Sequence, residues 1–336
     1  MAAPIYQIND LEHVYGNKPV LQIDRLALLR GAIVGLSGPN GSGKSTLLKL
    51  LGLIEKPTTG RILYNGFPVE PFSGHARFQI TLLPQEPVLM KRSVFKNVAY
   101  GLKLRGEKEP FAEAVKKALL RVGLSYNGFA QRPWYALSGG EAQRVAMAAR
   151  LALKPKVLLL DEPTAAIDAA SAQLIKEAAF NARKAWGTTL VIASHDQPWL
   201  SEVCDDVLPL FKGRVMDQDY HNIVFGPWTD LGHGNTGKRL SDGQEIRTPQ
   251  PPHPDAAAVM TVMLSNEFSS AQEPHLLQGV ISRLHLERKT GKINVVMVAG
   301  NLALNLKVSP EKIREKAIFP GKAVSVYYDR NRISWR

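Results

Sequence analysis

The chain has 336 residues, 45% hydrophobic and 21% charged, with a formal net charge of +12. That composition is globular, and the length exceeds what one hydrophobic core holds, so two domains are expected. No stretch approaches the ~18 consecutive apolar residues of a membrane helix. A single cysteine, Cys204, excludes an internal disulfide and fits a reducing compartment, and Met1-Ala2-Ala3-Pro4 reads unlike a secretion signal.

In chain order, Ile5–Ile8 and Leu21–Asp24 read as short strands. Between them lies Tyr15, either a turn aromatic packing on its own sheet or a flat surface for a base. The apolar run Ala32–Leu36 then leads through Gly38-Pro39-Asn40-Gly41-Ser42-Gly43-Lys44-Ser45-Thr46 into Leu47–Leu51. This predicts a buried strand, a glycine-rich turn and a helix. Glycines let backbone N–H groups curl around a phosphate, and the helix start adds unpaired N–H groups. Lys44 supplies charge for the outer phosphates, and the Ser45 hydroxyl suits Mg²⁺. A nucleoside triphosphate is the expected ligand.

Ile80–Leu83 is another strand, followed by Pro84-Gln85-Glu86-Pro87, where Gln85 either offers its amide oxygen to a metal or water or caps a turn. Ser93 reads as the N-cap of a helix, and Pro110–Val122 has helical apolar spacing ended by Gly123. Leu137-Ser138-Gly139-Gly140-Glu141 opens a further helix, with Ser138 as a cap or as part of an anion-binding turn. Val157–Leu160 is apolar throughout, as in a parallel sheet covered on both faces, and ends in Asp161-Glu162. Asp161 is placed to hold Mg²⁺ and Glu162 to polarise an attacking water. Leu190–Ala193 repeats the design and ends near His195, a candidate hydrogen-bond donor to a γ-phosphate.

From about Gly226 a Pro- and Gly-rich stretch predicts a linker, 226–255, between a first domain, 1–225, and a second, 256–336. Strands are expected at Gly279–Leu286, Lys292–Val298, Leu302–Val308 and Val324–Tyr328, closing at Ile333–Trp335, with a short helix at Pro310–Lys316. These predict a small all-β barrel. Residues 279–336 carry 12 Lys and Arg against 4 Asp and Glu, a balance of 12 − 4 = +8. Nucleic acid, an anionic membrane, a small anion or plain solvation of that face all fit this charge.

Taken together, these residues resemble the ATP-binding-cassette (ABC) ATPases. Gly38–Thr46 is similar to their Walker A loop, Leu137–Glu141 to the signature motif, and Val157–Glu162 to Walker B. Gln85 is similar to the Q-loop glutamine, Asp168 to the D-loop aspartate, His195 to the switch histidine and Tyr15 to the adenine-stacking aromatic. The resemblance covers about residues 5–225. It departs at Ala165-Ala166-Ile167-Asp168, where the family has Ser-Ala-Leu-Asp. It implies an α/β P-loop NTPase domain with a RecA-like core and antiparallel β and helical subdomains. It also implies ATP and Mg²⁺ as cofactors, with Lys44, Glu162 and His195 in catalysis and Ser45, Gln85 and Asp161 around the metal. The nucleotide would be enclosed in a head-to-tail homodimer against Ser138-Gly139-Gly140 of the second copy.

Membrane permease subunits docking beside Gln85–Gly101, a solute-binding protein, and a place on the cytoplasmic face of the inner membrane follow from the same resemblance. The second domain resembles Mop or TOBE modules, OB-like barrels of some importer ATPases, through Leu277–Ile281, Leu304–Pro310 and Phe319–Val324. Ser270-Ala271-Gln272-Glu273 stands where those modules have Ser-Ala-Arg-Asn. Ser270, Lys307 and Ser309 are the candidate oxyanion donors. The implied activity is ATP-driven import of an oxyanion, tungstate or molybdate. The alternatives are import of another solute such as sulfate, or a soluble ATPase acting on nucleic acid; no nucleic acid is expected.

Overall fold

Alternating apolar residues build the first layer of the computed structural model, which describes residues 3–165, 167–216, 222–232, 235–264, 275–286 and 292–336. β1 (Pro4–Tyr15) and β2 (Lys18–Leu29) pair antiparallel. The chain continues through β3 (Ile33–Ser37) and α1 (Lys44–Leu51) into β4 (Thr59–Tyr64) and β5 (Phe67–Pro68). These complete a sheet of order β2-β1-β4-β5. Tyr6, fully buried in β1, donates its hydroxyl to Leu51 O at 2.8 Å, which ties this sheet to the end of α1.

The second layer is parallel. β6 (Ile80–Leu83), β7 (Val157–Asp161) and β8 (Thr189–Ala193) join β3 in the order β3-β8-β7-β6. Val157 to Leu160 and Leu190 to Ala193 are buried residue after residue, as a sheet covered on both faces requires. α1 packs on β7 and β8 from the side of its buried Leu47, Leu48, Leu50 and Leu51.

Between β6 and β7 lies a helical group: α2 (Val94–Leu104), α3 (Ala112–Arg121), α4 (Tyr126–Phe129) and α5 (Gly139–Leu151). Ser93 caps α2 as expected, accepting from Lys96 N–H at 3.4 Å. Asn97, buried in α2, fixes the approach to that helix by accepting from Met90 N–H at 2.8 Å and donating to Met90 O at 3.1 Å. α6 (Ala169–Trp186), which the sequence reading did not single out, packs on α5 and β8 through Ile175, Ala178, Ala179 and Ala182.

By contacts the chain separates into two units. One comprises Met1–Leu36, Asn40–Ser194 and Lys212–Arg214; the other comprises Ser37–Pro39, His195–Phe211 and Val215–Arg336. The second unit therefore begins before residue 226. It includes α7 (Gln197–Val203) and β9 (Asp206–Phe211); β10 (Arg214–Val215) follows in the chain. β11 (Asn222–Phe225) comes next. The stretch expected as a linker is instead largely a three-stranded antiparallel sheet: β12 (Thr229–Gly232), β13 (Asn235–Arg239) and β14 (Glu245–Pro249). Its strands are polar in sequence, yet Thr236, Ile246 and Thr248 are buried. Pairing and a few inward residues, rather than an apolar run, make them strands.

β15 (Ala257–Met260), β16 (Val262–Leu264), β17 (His275–Leu286), β18 (Ile293–Ala299) and β19 (Leu302–Val308) follow. α8 (Pro310–Glu315), β20 (Ala323–Tyr328) and β21 (Ser334–Trp335) complete the chain. The sheets are β11-β15-β21 and β16-β20-β17-β18-β19. Val224, Ile246, Ala258, Leu277, Val295, Leu304 and Val326 belong to one shared core, so all three C-terminal sheets fold as a single β domain. Tyr328 Oη links two of them, accepting from Arg247 N–H at 2.7 Å and donating to Arg247 O at 3.2 Å. α7 packs on β17 and β19, and Arg283 Nη1 donates to Cys204 O, just past α7, at 2.5 Å. Ser270-Ala271-Gln272-Glu273 lies outside the described residues.

Candidate active site

The glycine-rich turn leaves β3 and enters α1 through Gly43, at φ 104, with no side chain capping the helix start. A Cβ on Gly43 would stand 2.6 Å from Leu21 Cδ2 and 3.1 Å from Val20 O, so both the space and the left-handed backbone require glycine. Gly41, at φ +77, faces open space. Lys44 is buried, and that burial pushes its pKa down while Glu162 and Asp161 push it back up. Two carboxylates thus lie within electrostatic reach of this buried ammonium. Ser45 Oγ donates to Asp161 Oδ1 at 3.1 Å. Ser42 and Thr46 are buried in the same turn.

Asp161 ends β7, opposite Ala193 of β8. Glu162 follows at φ 43, a left-handed conformation that costs a non-glycine residue roughly 1 kcal/mol or more. Its N–H donates to Ala193 O at 3.0 Å, and its own carbonyl accepts from Ala165 N–H at 3.1 Å. The left-handed Glu162 turns the chain directly after the strand. His195 stands two residues beyond β8, and its carbonyl accepts from Gln197 N–H at 3.0 Å.

Gln85 is exposed at the end of β6. Its carbonyl and that of Pro84 accept from Gln143 Nε2 at 3.4 and 3.2 Å. Gln143 is buried in α5, so it joins the second glycine-rich segment to the loop carrying Gln85. Arg150, nearly buried in the same helix, does likewise by donating to Leu82 O at 3.0 Å. Sequence reasoning gave neither residue a role; their spacing on a helix that opens with Ser-Gly-Gly was the available signal.

Ser138 caps α5, accepting from Glu141 N–H at 3.2 Å while its own N–H donates to Glu141 Oε2 at 2.9 Å. Gly139 meets open space, but a Cβ on Gly140 would lie 2.5 Å from Ser171 Oγ and 2.6 Å from Asp168 Oδ2. Asp168 caps α6, accepting from Ser171 N–H at 2.8 Å, and these Ser171 hydrogen bonds hold its carboxyl below the usual range. The structure thus brings Gly140 and Asp168 into direct neighbourhood.

Tyr15 closes β1 with its ring 44% exposed, edge-on to His13 with centroids 4.8 Å apart. Its hydroxyl donates to Glu55. In the C-terminal domain, Lys307 is half-buried on β19, and the Ser309 hydroxyl caps α8 by accepting from Lys312 N–H at 3.4 Å. Among the described residues no group of three or more His, Cys, Asp or Glu side chains forms a metal cluster. The Ser45–Asp161 oxygen pair fits Mg²⁺, a hard cation that takes a few protein oxygens and fills its shell with water and phosphate.

The family described as "ABC transporter" matches residues 21–165. The "Tungstate uptake system ATP-binding protein TupC" of Peptoclostridium acidaminophilum is 36% identical over 213 residues, 63% of this chain and 97% of the relative. The "Fe(3+) ions import ATP-binding protein FbpC" of Pasteurella multocida is 36% identical over 212 residues, and the match spans 63% of this chain but only 60% of that protein's length. The "Methionine import ATP-binding protein MetN 2" of Pectobacterium atrosepticum is 32% identical over 313 residues, 88% of this chain and 89% of the relative. Among solved structures, CbiO1 of Clostridium perfringens, part of the ABC transporter complex CbiONQ, has a TM-score of 0.56 at 33% identity, covering 64% of this chain and 87% of that one. The dimeric post-hydrolysis state of the ATP-binding cassette MJ0796 bound to ADP and Pi has a TM-score of 0.57 at 26% identity, covering 63% and 97%.

Proposed function

The chain belongs to the ABC transporter family, as the ATP-hydrolysing subunit of an importer, and we propose that the solute it energises is an oxyanion, tungstate or molybdate. The observation that carries this reading is the match along 97% of a tungstate uptake ATPase. The +8 balance of residues 279–336 (12 − 4) agrees with an anion-handling C-terminal domain. In this reading the C-terminal β domain, whose core reaches back to Val224 of β11, is an OB-like TOBE module, with Ser270, Lys307 and Ser309 as its candidate anion donors. The partners are permease subunits beside Gln85–Gly101, a solute-binding protein and a second copy of the chain, at the cytoplasmic face of the membrane. No helix among the described residues is long and apolar enough to cross a membrane; in this reading the permease supplies the solute pathway.

In the mechanism we assign, the backbone N–H groups of Gly38 to Thr46 wrap the β- and γ-phosphates. Lys44 neutralises them as it leaves Glu162 and Asp161. Tyr15 stacks on the adenine. Ser45 and Asp161, together with Gln85, would hold Mg²⁺, which would supply positive charge to the phosphate oxygens. Glu162 orients and polarises the attacking water, and His195 hydrogen-bonds the γ-phosphate. Ser138, Gly139 and Gly140 of the second copy close over the nucleotide, and Asp168 borders that turn. Because Gly140 and Asp168 adjoin in one chain, binding across the dimer is communicated to the start of α6.

The 88% match to a methionine importer favours a second reading, in which the solute is an amino acid. Tungsten and methionine uptake, measured in cells with and without an intact copy of this chain, separate the two. Loss of tungsten or molybdenum accumulation alone is expected. Unchanged metal accumulation with lost methionine uptake would reverse the assignment.

A further inference from the structure

The site joins phosphate and base recognition through residues that none of the sequence motifs contains. Glu55 lies four residues past the end of α1, the helix that begins at Lys44. One carboxylate oxygen, Oε2, accepts the Tyr15 hydroxyl and stands 3.3 Å from His13 Nε2. The other, Oε1, stands 3.3 Å from Lys49 Nζ. Neither ring nitrogen of the buried His13 makes a well-aligned hydrogen bond among the described residues, so its tie to Glu55 is one of proximity. Ile54 N–H donates to Lys49 O at 2.9 Å, which folds the Glu55 segment back onto α1.

We propose that Glu55 is the positioning residue for Tyr15, fixing its ring relative to α1 so that base and phosphates are met in one register. This rests on the reading of Tyr15 as the base-stacking aromatic. A tyrosine at a strand end with a 44% exposed ring keeps rotamer freedom that nucleotide binding must remove. Two contacts remove it beforehand: the edge of His13, with the rings at 87°, and the hydroxyl bond to Glu55. Glu55 in turn is held between His13 and the Lys49 ammonium, which face it alongside Tyr15. Burial opposes its charge, but hydrogen bonds from Tyr15 and Lys49 outweigh burial and keep the carboxyl below its ordinary range. The carboxylate therefore stays an acceptor through the neutral range.

The test is calorimetric titration of the full chain with ADP and, separately, with tripolyphosphate, which has no base. Tyr15→Ala should weaken ADP binding about tenfold or more. Glu55→Ala and Tyr15→Phe should each weaken it about three- to tenfold. The combined variant should be no weaker than either, because both remove the same bond. Glu55→Gln, which keeps an acceptor oxygen, should retain most of the affinity, and tripolyphosphate should bind wild type and Glu55→Ala alike. Wild-type ADP affinity in Glu55→Ala beside a weakened Tyr15→Ala would overturn the positioning role and leave the stacking intact. Equal weakening of tripolyphosphate would overturn it too, by showing that Glu55 acts on α1 instead. Unchanged ADP affinity in Tyr15→Ala would remove the stacking reading itself.

Discussion

Replacing Gly140 with alanine tests how closely the Ser-Gly-Gly turn is docked on the start of α6. The added Cβ would stand 2.5 Å from Ser171 Oγ and 2.6 Å from Asp168 Oδ2, with Ser171 Cβ at 3.0 Å. That is about 1 Å inside ordinary contact, and rotating one hydroxyl does not clear it. In one response Asp168 gives up the bond it accepts from Ser171 N–H, removing a helix cap worth about 1 kcal/mol. In the other the first turn of α5 backs away and strains the Ser138–Glu141 capping box, at a similar cost. Alanine's preference over glycine in a helix returns at most ~1 kcal/mol. The net loss is therefore small, between zero and about 1 kcal/mol, or a melting shift of at most a few degrees. Hydrolysis should fall much further, at least about tenfold, because the displaced backbone carries the groups assigned to the nucleotide of the second copy. Scanning calorimetry and phosphate release at saturating ATP measure both quantities on the full chain. Gly139→Ala, whose Cβ meets nothing within 4 Å, should melt with the wild type. Wild-type hydrolysis in Gly140→Ala, or a clear melting loss in Gly139→Ala, would refute the reasoning.

Glu162→Gln should bind ATP as wild type and hydrolyse it at least about a hundredfold more slowly, whereas Lys44→Ala should lose nucleotide affinity in titration, because the phosphate charge goes unpaired. The buried Asn222 accepts from Asn305 N–H at 2.6 Å and donates to Asn305 O at 3.1 Å, so Asn222→Ala should cost about 1–2 kcal/mol in denaturant unfolding. Burial pushes the Cys204 thiol up to about 12, so the thiolate is scarce at pH 8; a maleimide should label it only after denaturation.

The parts of the fold legible in the sequence were those where one local rule is sufficient. The apolar runs before Asp161 and around Leu190 could only be covered strands, and the Ser93 and Ser138 caps sit where their side chains satisfy helix N–H groups. The phosphate turn was readable because glycine spacing and Lys44-Ser45 state both its geometry and its chemistry. What stayed hidden depended on partners distant in the chain. β13 and β14 are too polar to read as strands until they pair. Asp168 was identified by motif, but its role as the cap of α6 and neighbour of Gly140 needs a surface 28 residues away. Gln143 works through backbone carbonyls at Pro84 and Gln85, which no side-chain pattern records. Glu55 bridges three residues from two elements, and nothing in its own neighbourhood marks it.

The bond from Arg283 to Cys204 O has a practical consequence for anyone who would shorten this protein. The 213 matched residues are 97% of the tungstate uptake relative, so an ATPase of that family can end without a tail like this one. Here α7, two residues from His195, packs on β17 and β19, and Arg283 of β17 bonds the backbone just past it. Cutting the chain at 225 would therefore strip α7 of the strands it packs on and leave Cys204 O without the Arg283 donor.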